Sequence, residues 1–161
     1  MPAATGDYRA WGPYYRDWRK GLIQPEDEDR YYLVFVGPGF TPNYDIDQYY
    51  ADLTAHELYE GDWPQGGKPI ANVSVTLDTA NDRVLALTHD QVDNSVDEGV
   101  PVGTTWAAPG ATQIVWVDRA SGDGAETWRL AFACPLSPAL IPTAGPIVFT
   151  SPNGVEIGGY A

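Results

Sequence analysis

The sequence predicts an all-β protein: an antiparallel β-sandwich of about seven or eight short strands, preceded by an N-terminal arm carrying one short helix. Three observations predict it. Gly (17) and Pro (14) make up close to a fifth of the 161 residues, a density of turn formers that suits short strands and not long helices. A hydrophobic share of 43% and an aromatic share of 12% supply enough apolar surface for a core. Runs rich in aromatic and β-branched residues recur along the chain without a sustained helical period. The chain divides into residues 1–30, an arm with an acidic linker, and residues 31–161, the sandwich domain.

Taken in order, residues 8–21 read YRAWGPYYRDWRKG and hold two of the six Trp and three of the ten Tyr. Pro13 suits a first helical position, Arg19 and Lys20 a last turn, and Gly21 the residue past a helix end, which predicts a helix over 13–20. Tyr14 and Trp18 are four apart and Tyr15 and Trp18 three apart, so these aromatics share a side. A helix this short does not hold in water alone and needs a surface to dock on. Residues 24–29, QPEDED, read as a solvated linker.

The run YYLVFV at 31–36 predicts a strand, ended by Gly37-Pro38-Gly39. Partial alternation from Ile46 to Tyr59 predicts a long strand exposed on one face, followed by a turn over 61–67. Residues 70–77 and 83–87 flank the Asx-rich connection at 78–82 and predict a hairpin. Residues 90–110 read as a long loop. Further strands are expected at 112–117, 127–132 and 147–150, with Ser121 to Gly124 turning the first into the second.

Charge is unevenly spread. Residues 1–30 carry five basic residues against six acids, whereas residues 31–161 carry four, Lys68, Arg83, Arg119 and Arg129, against sixteen, a net charge of −12. Such a surface repels phosphate backbones and anionic membranes, so nucleic acid and membrane are excluded as partners of the body. The N-terminus has no continuous apolar stretch and no segment is apolar enough to span a bilayer, so a chain made and assembled in a cytosol is expected. The single cysteine, Cys134, rules out an internal disulfide and reads as a small buried hydrophobe within the run LAFAC at 130–134.

Little in the sequence assembles chemistry. Glu57, Glu60 and Asp62 mimic a glycosidase carboxylate pair only in composition, because such a pair needs a shaped cleft that raises one pKa. His56-Glu57 begins a zinc-type HExxH, but position 60 is Glu and His89 is distant. Asp93 to Gly99 has oxygen ligands for a hard cation but lacks the glycine and terminal glutamate of an EF-hand loop. Neither a nucleophile with a spaced histidine nor a phosphate-cradling glycine loop is present. No catalytic residue, metal or cofactor is expected.

The aromatic arm stands out. It has three readings: packing on the chain's own sandwich, anchoring to a neighbouring subunit, or stacking on sugars. Trp, Tyr and Arg dominate interface hot spots, and the linker would let the arm leave the body, so the second is favoured. Tyr8, Trp11, Tyr14, Tyr15, Arg16, Trp18 and Arg19 are the expected anchor.

A series of motifs between residues 37 and 118 resembles a known group. GFTPN at 39–43 precedes an Asp-containing segment, DLTA at 52–55 with Glu57, a Gly/Trp/Gly-Gly turn at 61–67, IANVSVTLD at 70–78, TAND at 79–82 and RVLAL at 83–87. QIVWVD at 113–118 takes the place of a Tyr/Val-rich strand. The order is similar to the series GYTP…D…DLT.E…GGxxLxNVxVTYDAATNxVxLxAxD in small virion structural proteins of tailed actinobacteriophages. The ending, with WRLAFA at 128–133 and a proline-rich stretch at 135–146, departs from that group's pattern, and residues 1–36 lie outside it. The resemblance implies a β-sandwich virion component, a capsid decoration or minor capsid protein bound to the major capsid protein or to sister copies. The acidity of the body favours the capsid exterior, and multivalent attachment favours a homo-oligomer, dimer or trimer. The alternative is a tail or baseplate component whose sandwich binds a host glycan.

Overall fold

The computed structural model describes residues 8–27, 30–59, 63–78, 83–88, 92–93, 110–140, 148–149 and 155–159. In chain order the elements are β1 (Arg9–Ala10), α1 (Gly12–Arg19), β2 (Tyr31–Val36), α2 (Tyr50–Leu53), a 3₁₀ turn (Thr54–His56), β3 (Glu57–Leu58) and β4 (Lys68–Pro69). There follow β5 (Ser74–Asp78), β6 (Arg83–Thr88), β7 (Val92–Asp93), β8 (Ala111–Asp118), a second 3₁₀ turn (Arg119–Ser121), β9 (Arg129–Leu140), β10 (Val148–Phe149) and β11 (Val155–Gly159). The protein is mostly β. A six-stranded antiparallel sheet runs β1-β9-β8-β2-β3, with β4 also pairing β2, and a three-stranded antiparallel sheet runs β11-β6-β5. β10 pairs β7 separately.

The core lies on the large sheet, whose central strands are apolar on both faces. Register places Tyr31 opposite Asp118, Leu33 opposite Trp116, Phe35 opposite Ile114, and Trp116 opposite Phe132. Directly opposed residues share a face, so the large rings gather on one side. Trp116 lies 5.7 Å from Phe132 and 5.4 Å from Tyr31, at angles typical of favourable ring pairs. The other face carries the smaller Val34, Val36, Val115 and Val117. Cys134 is buried on the aromatic face, opposite Ile114.

Residues 9–20 are stitched to this sheet. β1 adds to the edge of β9, with Arg9 opposite Ala133 and Ala10 opposite Phe132. Trp11 N–H then donates to the Ala131 carbonyl at 3.0 Å and Gly12 N–H to the Tyr44 carbonyl at 2.8 Å. α1 begins with Pro13 in its first turn, where a missing N–H costs nothing, and carries Arg16 and Arg19 near its end. Gly21, at φ +73°, stops it in the left-handed conformation that suits glycine.

Residues 46–59, expected as one long strand, fold otherwise. Asp52 Oδ2 accepts the Tyr49 backbone N–H at 2.8 Å, a side-chain cap that starts α2. Tyr50, Leu53 and Glu57 are buried at a spacing of three and four, the spacing of a helical turn and not of a strand. Only Glu57–Leu58 pairs in a sheet. The expected strand at 127–132 starts at Arg129 and continues to Leu140, with Pro135 opposite Gln113. The expected hairpin forms between β5 and β6, with a register shift between Thr76 and Asp78. Its turn at 79–82 and most of the loop expected at 90–110 lie outside the described residues.

Candidate functional site

A single buried carboxylate holds the arm. Asp118 ends β8 on the aromatic face and has no exposed surface. Its Oδ2 accepts the Tyr14 hydroxyl and an Arg30 Nη1–H, both at 2.6 Å, and its Oδ1 accepts the Ala120 N–H at 3.0 Å. Because the Tyr14 proton points at Asp118, the Tyr31 hydroxyl donates to Tyr14 across 2.9 Å. Burial is the main cause that pushes both Tyr14 and Tyr31 well above the ordinary tyrosine value, so both hydroxyls remain donors. Arg30 also pairs with Asp27 at 3.0 Å, which ties the linker into the same network. On the other side of Tyr14, Arg129 sits 5.2 Å from its ring and pairs with Asp47 at 2.6 Å and with Asp17 at 3.0 Å.

The seven expected anchor residues therefore separate. Trp11 and Tyr14 are fully buried within this chain. Trp11 donates through Nε1 to Gln48 Oε1 at 2.9 Å and packs 5.0 Å from Tyr44. Tyr8 is partly buried against Trp116 at 5.8 Å. Tyr15 and Trp18 are half-buried and meet edge to face at 5.8 Å, and Arg19 reaches back to the Tyr15 hydroxyl at 3.2 Å. Arg16 is exposed and pairs with Asp17 at 2.9 Å. Leu22 follows on, 72% exposed. Sequence reasoning passed over Leu22, which lies past the helix end, its N–H donating to the Asp17 carbonyl at 3.0 Å. Tyr15 and Trp18, which also pack in part against the core, together with Arg19 and with Leu22 just past the helix end, thus make a short, partly exposed strip beside the pinned inner side of α1.

A second cluster surrounds Glu57. The Tyr50 hydroxyl donates to Oε2 at 2.5 Å and the Gly66 N–H to Oε1 at 2.6 Å, so both oxygens are occupied. Burial raises the Glu57 pKa above the usual carboxylate value, and the two donors act against that shift. The arrangement fastens the 63–67 turn to α2. Glu60 and Asp62, the partners a glycosidase pair would use, lie outside the described residues, as do His89 and residues 94–99 of the cation-like stretch. His56 packs 6.4 Å from the Phe40 ring. Among the described residues no group of three or more His, Cys, Asp and Glu side chains is placed to hold a metal ion. Among them, too, no helix is long and apolar enough to cross a membrane.

A third cluster was not foreseen. Arg119, in the 3₁₀ turn after Asp118, carries its guanidinium 4.0 Å from the Tyr32 ring and 4.2 Å from the Trp128 ring. Sequence reasoning saw Arg119 only as one of four basic residues of the body, because nothing in its neighbourhood along the chain announces Tyr32.

No family model, curated protein or solved structure matches the chain.

Proposed function

We propose that the chain is a non-enzymatic structural subunit of a tailed-bacteriophage virion. In this reading it is a capsid decoration or minor capsid protein on the shell exterior, docked on the major capsid protein or on sister copies through the outer side of α1. The observation that carries the reading is the division of the arm. Trp11 and Tyr14 are used wholly inside the chain, whereas Tyr15 and Trp18 are only partly covered, and Arg19 and Leu22, at and just past the end of a helix held from below, are exposed. Aromatic and Arg side chains ordered in advance lose little freedom on binding, which is the property of an interface anchor. The motif order at residues 37–118 supports the virion assignment, and the net charge of −12 on residues 31–161 favours a face turned away from packaged DNA.

The finer architecture we infer is a β-sandwich. The register of the smaller sheet aligns Val75 with Leu87 and Val155, and Leu85 with Ile157. Two antiparallel sheets, one of six strands and one of three, are the layers from which such an architecture is built. Weak single anchors act together in an oligomer, so a dimer or trimer is the expected form on the lattice.

The test is co-sedimentation of the chain with DNA-free shells, alongside copy number per particle. The double substitution Trp18→Ala with Leu22→Ser should lower affinity by roughly 30-fold, the loss of about 2 kcal/mol typical of one hot spot, while circular dichroism shows the β structure retained. Unchanged binding by this variant refutes the α1 anchor. A copy number of a handful in place of hundreds refutes the shell assignment and favours a tail component.

A further inference from the structure

We propose that Arg119, clamped between Tyr32 and Trp128, is a receptor for an aspartate or glutamate side chain presented by a neighbouring protein subunit. The site shares no residue with the outer side of α1. It rests on the chain's being an interaction module, but not on what the α1 strip binds.

The argument begins with the donors. A guanidinium has five N–H donors in one plane and no acceptor. The Tyr32 and Trp128 ring centroids lie 4.0 and 4.2 Å from its Cζ, so the rings pack on the cation while hydrogen bonding belongs to its N–H edge. That edge makes no hydrogen bond and no ion pair with any described residue. The basic side chains around it are otherwise committed: Arg30 is held by Asp118 and Asp27, and Arg129 by Asp47 and Asp17. Two buried carboxylates are committed as well: Glu57 accepts from Tyr50 and Gly66, and Asp118 from Tyr14, Arg30 and Ala120.

The clamp is also fixed in place. The Arg119 N–H donates to the Arg30 carbonyl at 2.9 Å, and Asp118 caps the turn through the Ala120 N–H. Trp128 is held by its Nε1–H on the Gly122 carbonyl at 3.2 Å and packs 5.5 Å from Tyr50. Beside the guanidinium edge lies Gly66, at φ +86°. A Cβ there would stand 3.9 Å from Arg119 Nη1 and from the Tyr50 hydroxyl, ordinary contact distances, so the Gly66 backbone lines the edge of the guanidinium and its φ is what calls for glycine. A rigid, half-exposed fork of unspent donors between two rings matches a planar two-oxygen acceptor. A carboxylate brings one charge to it. A phosphate chain would bring many to a body of net −12, which disfavours nucleic acid.

The test is a titration of the isotopically labelled chain with N-acetylglutamate amide, which has one side-chain carboxylate, followed at the Arg119 Nε–H and Trp128 Nε1–H resonances. Both should shift saturably at millimolar concentration. Arg119→Lys keeps the charge but loses the fork, and should weaken binding at least tenfold. Trp128→Phe keeps a ring and the fold, and should weaken it by a smaller factor. The proposal is overturned by the absence of a saturable shift, by equal affinity in Arg119→Lys, or by tighter binding of inorganic phosphate than of the carboxylate.

Discussion

Replacing Asp118 by Asn tests the network that holds the arm to the sheet. The substitution keeps size and one acceptor oxygen but removes the charge; with that oxygen turned to Tyr14 and Arg30, its amide donors face the Ala120 N–H. Asp118 is fully buried, the Arg30 side chain is only 11% exposed, and the pair is 2.6 Å apart. Removing one member of such a buried pair costs about 3–5 kcal/mol. The slight exposure of Arg30 and the surviving acceptor for Tyr14 reduce the expected loss to about 2–4 kcal/mol. For a chain of this size that corresponds to a fall in thermal midpoint of roughly 5–12 °C. Urea unfolding followed by tryptophan fluorescence measures it directly. Tyr14→Phe deletes the hydroxyl that bonds the same carboxylate, so the two substitutions should couple by at least about 1 kcal/mol in a double-mutant cycle. A loss below about 1 kcal/mol for Asp118→Asn, or strict additivity with Tyr14→Phe, would refute the claim that this carboxylate ties α1 to the sheet.

The buried Glu57 gives a pH dependence of known sign. Its folded-state pKa lies above the unfolded value, so the folded state binds the proton more tightly, and stability from this group is gained as pH falls and lost as pH rises through the raised pKa. Thermal midpoints compared from about pH 7 down to about pH 5 should therefore improve for the native chain relative to Glu57→Gln; a difference that does not change with pH would contradict this. Asp17 works the other way. Its pKa is lowered first by Arg16 and also by Arg129, so its contribution is lost as pH falls through the lowered value, and Asp17→Asn should flatten the acid limb of the stability profile. Gly67→Ala should destabilise the fold by at least about 2 kcal/mol in urea unfolding, because φ is +79° and the added Cβ would stand 2.2 Å from the Leu33 carbonyl oxygen. A neutral result there would mean that the 63–67 turn is free to move off β2.

Legibility in the sequence followed the range of the interactions. β2 lies over the residues expected, and α1 is displaced from its expected bounds by one residue, because Pro13 and Gly21 act on their own backbones. The hairpin of β5 and β6 was readable for the same reason. Residues 46–59 were misread because partial alternation over a short stretch fits two periods. The deciding contact, Asp52 on the Tyr49 N–H, is a single cap. The strip on α1 was half legible: the aromatics and arginines were visible, but not which of them face inward.

By itself the sequence determined a mostly β chain, a short aromatic helix near its start and the concentration of acid in its body, all consequences of composition and near-neighbour stereochemistry. Tertiary structure decided the use of those residues. Tyr14 meets Asp118 across 104 positions of chain, and Arg129 meets Asp17 across 112. Arg119 meets Tyr32 because β2 and β8 are neighbours in the sheet. Pairings at that separation depend on which strands lie side by side, and no local pattern of residues encodes them. They made part of the expected anchor into core, and they left a helix edge open and a half-exposed arginine whose guanidinium makes no hydrogen bond or ion pair with any described residue.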